Sequence, residues 1–145
     1  MGMSATIFPR SPRETMAGWI YLPRLIDKIR LNLAGKLHED YLPNFLHRGF
    51  DSKWFETAGV DPDEFTALVA ASDTDGQVAD WVCHNVLASD ETRTAFNTGV
   101  GSYGSDEADV ELRARLAQRK EDVGMGDRND IQCFVDFIDA DEGRL

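Results

Sequence analysis

The chain has 145 residues, the length of a single domain, and its 42% apolar content favours a packed core over disorder. It has no apolar run near the ~18 residues that a membrane helix needs. Its first residues also lack the apolar stretch of a secretory signal. Because a nucleic-acid binder must neutralise phosphates, the net charge of −11 argues against that class. We therefore expect a cytoplasmic protein that binds neither membranes nor nucleic acids.

The charge is unevenly distributed along the chain. Residues 1–60 contain eight Lys/Arg and six Asp/Glu, whereas residues 61–145 contain seven Lys/Arg and twenty Asp/Glu. This asymmetry leaves two interpretations open, an anion site in the N-terminal part or an acidic face that keeps the protein soluble.

The first predicted element starts at Ser11. Ser11 and Glu14 have the spacing of a capping box, and Pro12 occupies the first helical position, where proline is favoured. We expect residues 1–8 to be flexible and a short helix to run from Ser11 until Gly18 interrupts it.

A second, longer helix is predicted to begin at Leu22-Pro23 and to end at Gly35, where glycine supplies a left-handed C-cap. Its apolar residues recur at helical spacing, and its charged residues fall mostly on the opposite face. The apolar stripe consists of Leu22, Leu25, Ile26, Ile29 and Leu33, and the charged residues are Arg24, Asp27, Lys28 and Arg30.

The rest of the chain is predicted to be helical, apart from an irregular segment over residues 36–51 and an acidic tail over residues 140–145. Cap and periodicity patterns place helix starts at Asp51, Asp61, Thr74, Ser89, Ser105 and Ile131. Within the helix from Ser105, Glu111 and Arg115 have the i,i+4 spacing of an ion pair. These elements indicate an all-α fold, a single compact domain over residues 1–145 with six to eight short helices around one core.

Four segments resemble a family of small, mostly bacterial proteins that is known as a domain of unknown function, number 5069. They are PRSPRE (9–14), WIYLPRLIDKIR (19–30), SKWFETAGVD (52–61) and FVDFIDADEG (134–143). The resemblance extends from about Thr6 to Gly143 and implies a stand-alone helical bacterial protein. It implies no activity and no functional residue.

Several motifs are present without the context that their chemistry requires. Residues 99–104 read G-x-G-x-x-G, but a helix precedes them and acidic residues follow, so we interpret them as a flexible linker rather than a dinucleotide site. Residues 73–76 resemble part of a calcium loop, but the positions for its first and last ligands hold Ala71 and Val82. Cys83 and Cys133 form no CxxC pair. We therefore predict no metal site and no cofactor.

The best candidate for a ligand site is a group of cationic and aromatic residues in or next to the two N-terminal helices. Two guanidinium groups and an ammonium could hold a carboxylate or a phosphate, with an aromatic plane to stack on. The alternative is that these cations form structural ion pairs and that the aromatic residues lie in the core. The group consists of Arg10, Arg13, Trp19, Tyr21, Arg24 and Lys28.

Two functional hypotheses follow. The first is a non-catalytic binding or interaction module for a small anion or a protein partner, which could also be a second copy of the chain. The second is a small metal-dependent or hydrolytic enzyme that uses His38–Tyr41, because this irregular segment is where functional residues concentrate. The sequence shows no catalytic set that assigns a reaction, so the first hypothesis is preferred.

Overall fold

The structure is a computed structural model that describes residues 6–145. This part of the chain contains seven α-helices, one 3-10 helix and one two-stranded hairpin, which confirms the all-α fold class. The hairpin strands are β1 (Thr15–Met16) and β2 (Trp19–Ile20), and the 3-10 helix is Glu39–Asn44. The helices are α1 (Leu22–Leu33), α2 (Gly49–Ala58), α3 (Pro62–Ala71), α4 (Asp75–Asn85), α5 (Asp90–Gly101), α6 (Val110–Asp122) and α7 (Phe134–Asp141).

The prediction that residues 1–8 are flexible concerns mostly residues 1–5, which lie outside the described residues. Residues 6–8 are exposed. In residues 6–145, none of the helices has the length and apolar character to cross a membrane.

Three helices begin at the caps predicted from the sequence. Asp61 accepts a hydrogen bond from the amide of Glu64 at 2.9 Å, and Ser89 accepts one from the amide of Thr92 at 3.1 Å. At the start of α4, Thr74 forms a complete capping box with Gln77. These local patterns predict helix starts because each side chain satisfies an amide that has no partner inside the helix.

The helix predicted over residues 11–18 is wrong, because this segment forms the β1–β2 hairpin. Ala17 and Gly18 both have positive φ, 52° and 82°, as the tight turns of two-residue hairpins require. Helix α5 fixes the hairpin from outside: Asn97 accepts from the Ile20 amide at 2.9 Å and donates to the Gly18 carbonyl at 2.9 Å. A distant side chain therefore decides the conformation of this segment.

Two C-terminal boundaries also differ from the prediction. Helix α6 begins at Val110 rather than near Ser105, because Asp109 caps it by accepting from the Leu112 amide at 3.1 Å. The last helix, Phe134–Asp141, begins at Phe134 rather than at Ile131. The predicted Glu111–Arg115 ion pair is absent from the salt bridges of the described residues.

Helix α1 is the centre of the core. Leu25, Ile26 and Ile29 are fully buried, as predicted, whereas Leu33 at the end of the helix is 52% exposed. Arg24 and Lys28, which the helical pattern places on the opposite, charged face, are also buried. A helix surrounded on nearly all sides must bury its polar residues together with its apolar ones.

Aromatic residues fill the space around α1. The rings of Trp19 and Trp54 meet edge to face with centroids 6.0 Å apart, and Trp19 meets Phe96 in the same way at 5.4 Å. Such edge contacts add to the gain from burying the rings. A separate, smaller hydrophobic group built on Leu116, Ile131 and Phe137 joins α6 to α7.

Candidate functional site

A cavity of about 550 Å³ is lined by residues from α1, the 3-10 helix, α2, α6 and α7. Its wall contains five cationic side chains and a series of aromatic rings, with three carboxylates. The cations are Arg24, Lys28, Lys53, Arg115 and Arg119. The carboxylates are Asp40, Asp141 and Glu142.

A chain of aromatic rings forms one wall of the cavity. The centroids of Tyr21 and Phe50 are 5.5 Å apart, those of Phe50 and Tyr103 are 5.5 Å apart, and those of Tyr103 and Phe134 are 5.4 Å apart. Because each ring contacts the next at an angle, neighbouring rings restrict each other's rotation. The wall is therefore a pre-formed apolar surface.

Gly104 allows two parts of this wall to meet. Its φ is +90°, and a Cβ atom at this position would lie 2.7 Å from Cδ2 of Phe134. The Phe134 amide also donates to the Tyr103 carbonyl at 2.9 Å. The G-x-G-x-x-G segment was interpreted as a flexible linker, but residues 99–101 belong to α5 and Gly104 serves close packing.

Arg24 and Glu142 form a buried ion pair on the floor of the cavity. The two guanidinium nitrogens of Arg24 donate to the two Glu142 oxygens at 2.8 and 2.7 Å, and each side chain is 4% exposed. Tyr41 also donates to Glu142, at 2.7 Å. Burial by itself would raise the pKa of Glu142, but hydrogen bonds from Arg24, Tyr41 and Arg144 outweigh it and hold this pKa below its ordinary value.

The pair also corrects the predicted acidic tail. Glu142 is buried against Arg24, and Asp139 is buried as well, with 5% of its surface exposed. The C-terminal carboxylates at these two positions are thus internal partners of N-terminal cations rather than a solvated end.

Lys28 and Asp51 form a second buried pair next to the first. Lys28 Nζ lies 3.0 Å from the Asp51 carboxylate, which also accepts from the Tyr21 hydroxyl and from the Leu46 amide at 2.9 Å. Burial lowers the pKa of Lys28, although the Asp51 charge opposes this shift. Burial, and then the Asp51 charge, raises the pKa of Tyr21. Asp51 thus holds both cavity residues in place.

The other three predicted site residues lie away from the cavity wall. Arg10 binds Asp27 at 2.9 Å and Asp75 at 2.8 Å. Arg13 binds Asp139 at 2.7 Å and also Asp136. Trp19 is 1% exposed and belongs to the core. The structure therefore brings only Tyr21, Arg24 and Lys28 together at the cavity, with Arg24 and Lys28 both held by internal carboxylates.

Sequence reasoning missed three cations of the wall, which we call the cavity cations: Lys53, Arg115 and Arg119. Within residues 6–145, none of their side chains forms a salt bridge or a hydrogen bond, and all three residues are exposed and line the cavity. Arg115 and Arg119 lie one turn apart on α6. That i,i+4 spacing was the available signal, but the assumption that Glu111 pairs with Arg115 concealed it.

Helix α6, which carries Arg115 and Arg119, is fixed against the aromatic wall. Arg113 donates to the carbonyl of Gly104 at 2.9 Å and to that of Gln132 at 2.8 Å. These contacts join the start of α6 to the loops next to Tyr103 and Phe134. Lys53 approaches from α2, with its Nζ 5.8 Å from the centroid of the Tyr103 ring.

The segment His38–Tyr41, on which the enzyme hypothesis depends, lines the same cavity through His38, Asp40 and Tyr41. His38 Nδ1 accepts from the Asp40 amide at 3.1 Å. The Tyr41 hydroxyl donates to Glu142, and burial followed by this contact raises the pKa of Tyr41. Tyr41 is therefore a fixed hydrogen-bond donor at neutral pH rather than a base.

The acidic residues of the cavity wall influence one another. Burial, and then the charges of Glu142 and Asp40, raise the pKa of Asp141. In residues 6–145, no three His, Cys, Asp or Glu side chains are grouped as metal ligands would be.

The fold and the site thus define a small helical protein with an aromatic-walled, cation-bearing cavity. A family model described as "Domain of unknown function (DUF5069)" matches residues 6–144. The chain belongs to this family, as the four resembling segments predicted. A comparison with curated proteins gave no match.

Proposed function

We propose that this protein is a binding module that takes a small organic anion into the cavity. The observation that carries the proposal is that the three cavity cations line one cavity and have no acidic partner in residues 6–145. The sequence predicted a ligand site formed by the cationic and aromatic residues of the N-terminal part. The proposal keeps the ligand class but assigns ligand contact to Lys53, Arg115 and Arg119.

The charge balance of the chain supports this assignment. With 26 Asp/Glu against 15 Lys/Arg, an acidic partner is easy to find, and Arg10, Arg13, Arg24 and Lys28 all have one. Two arginines at i,i+4 with no acid between them repel each other and weaken the helix. A bound anion would remove that repulsion, and clefts lined by one sign of charge concentrate ligands of the opposite sign.

The size and lining of the cavity also fit a small molecule. Pockets for small ligands have volumes of ~300–1,000 Å³ and apolar walls with a few polar groups that orient the ligand, and this cavity holds about 550 Å³. The buried pairs Arg24–Glu142 and Lys28–Asp51 keep its floor rigid, because their side chains have fixed partners.

The enzyme hypothesis remains the alternative, because His38, Asp40 and Tyr41 line the same cavity. It requires a hydrolysable substrate or a stoichiometric metal. Elemental analysis of the purified protein and a hydrolysis assay with aryl phosphates and esters test it directly. A cytoplasmic location, a protein partner and a homodimer stay predictions from the sequence.

The proposal is tested by thermal-shift measurements against organic acids, phosphates and nucleotides, followed by calorimetry on each anion that raises Tm. A ligand at 100 times its Kd stabilises the native state by about 2.7 kcal/mol, which is readily measured. In the double variant Arg115→Ala/Arg119→Ala, the shift should disappear.

The matched control is Lys36→Ala/Arg48→Ala, which removes two exposed cations that do not line the cavity. It loses the same net charge, so it should keep the shift. The proposal is wrong if no anion in a broad panel binds, or if both double variants lose binding equally.

A further inference from the structure

We infer that the ligand is a phosphate monoester carried on a planar aromatic or heteroaromatic ring, with the phosphate on the cavity cations and the ring against the aromatic wall. This inference rests on the proposed function and names the class of anion. It follows from three observations: the number and type of the cations, the rings beside them, and the volume of the cavity.

The cavity cations suit a dianion better than a carboxylate. Each of the two guanidinium groups offers several N–H donors in a fixed plane, and Lys53 adds a compact ammonium. A carboxylate has two oxygens and one charge, whereas a phosphate monoester has three terminal oxygens and a charge of about −1.5 to −2 at pH 7. A phosphate monoester therefore offers an acceptor oxygen for each of the three cations.

The aromatic side chains beside these cations suit a ligand that contains an aromatic ring. Lys53 lies over the ring of Tyr103, and Phe50 and Phe134 flank that ring at 5.5 and 5.4 Å. Phe8 lines the same cavity and is 43% exposed, so a large apolar surface is available at the cavity wall. A ring linked closely to the phosphate would cover this surface.

The volume of the cavity indicates a ligand larger than a free phosphate ion. A free phosphate ion would occupy only a small fraction of about 550 Å³, since one water molecule takes about 30 Å³ of liquid. The ligand thus carries its phosphate on a larger body.

Isothermal titration calorimetry with four probes tests this inference on the full-length protein. The probes are phenyl phosphate, cyclohexyl phosphate, benzoate and inorganic phosphate, at equal pH and ionic strength. Phenyl phosphate should bind tightest. Its advantage over benzoate should be about tenfold or more, because charged hydrogen bonds are lost. Its advantage over cyclohexyl phosphate should be about three- to tenfold, from ring–ring contact.

Two variants distinguish the contribution of the phosphate group to the affinity from that of the ring. Lys53→Ala should weaken phenyl phosphate and inorganic phosphate by similar factors. Phe8→Ala should reduce the preference for phenyl phosphate over inorganic phosphate and leave the affinity for inorganic phosphate unchanged. Ile7→Ala, which removes an exposed apolar side chain outside the cavity wall, is the matched control, and thermal unfolding shows that each variant is folded.

The outcomes distinguish this inference from the proposed function. Equal affinities for phenyl, cyclohexyl and inorganic phosphate would refute the claim that the ligand carries an aromatic ring. The protein would still be an anion-binding protein. Equal affinities for benzoate and phenyl phosphate would refute the claim that the site prefers a phosphate dianion to a carboxylate. The protein would again remain an anion-binding protein. Failure of every probe and of the wider anion panel would overturn both.

Discussion

The cations around α1 and the cavity cations experience different environments in the same protein. Arg24 and Lys28 are 4% and 3% exposed, and each is paired with an equally buried carboxylate. Lys53, Arg115 and Arg119 are exposed and have no acidic partner in the described part of the chain. Burying an unpaired charge is prohibitive, whereas an exposed charge is stable in water without a partner. The first group therefore holds the fold together, and the second group is available to a ligand.

The largest expected effect comes from removing the carboxylate beneath Lys28. Asp51→Ala leaves Lys28 buried without a partner and also leaves the Tyr21 hydroxyl and the Leu46 amide without their acceptor. Loss of one partner of a buried pair costs about 3–5 kcal/mol. Urea denaturation should show a decrease of this size in the free energy of unfolding.

Asp63→Ala is the matched control. Asp63 lies in the first turn of α3, as Asp51 lies in the first turn of α2, but Asp63 is exposed whereas Asp51 is buried. It should cost at most a few tenths of a kcal/mol. A similar small loss in both variants would show that the buried pair does not hold α1. The double variant Lys28→Met/Asp51→Leu should recover part of the loss, since apolar residues can replace a buried pair.

The second prediction concerns pH and the Arg24–Glu142 pair. The pKa of Glu142 is lowered in the folded protein from an ordinary value of 4.5. The stability that this carboxylate contributes is therefore complete above pH 4.5 and is lost as the pH falls through the folded pKa. The difference in unfolding free energy between the wild type and Glu142→Gln should be constant near neutral pH and decrease below pH 4.5.

Other carboxylates with lowered pKa values, such as Asp75 and Asp136, also contribute to acid unfolding of both proteins. Their effect cancels in the comparison. A difference that stays constant down to complete acid unfolding would mean that Glu142 is not stabilised by its charge.

The third prediction concerns the stability of the cavity cations. Because the side chains of Arg115 and Arg119 form no salt bridge or hydrogen bond in residues 6–145, Arg115→Ala/Arg119→Ala should change the free energy of unfolding by no more than about 0.5 kcal/mol. A slight gain is expected, since the variant removes an i,i+4 repulsion and introduces the best helix former. A loss of several kcal/mol would mean that these arginines are structural, as Arg24 and Lys28 are.

The smallest effect is expected at Asp141. Its raised pKa means that the folded protein disfavours the ionised form, so stability from this group is present at low pH and is lost as the pH rises through the folded pKa. Asp141→Asn should therefore raise Tm slightly at pH 7 and have no effect below the ordinary pKa of 3.8. A lower Tm at pH 7 would indicate an unrecognised partner of the carboxylate.

Sequence reasoning succeeded where short-range contacts decide the structure. The caps at Asp61, Thr74 and Ser89 and the helix from Leu22 are confirmed, because a cap needs only residues three positions away. It failed at residues 11–18. There the same capping-box spacing is present, but Asn97 on α5 forms hydrogen bonds with the hairpin backbone.

The sequence by itself determined the helical class, most helix starts and the apolar stripe of α1, because these depend on local spacing. Only the tertiary structure decided which cations are paired. Glu142 lies 118 positions from Arg24, so no local pattern indicates their contact. The cavity also exists only after α2, α6 and α7 pack around α1. Its three cations then remain without partners because packing places the acidic residues elsewhere.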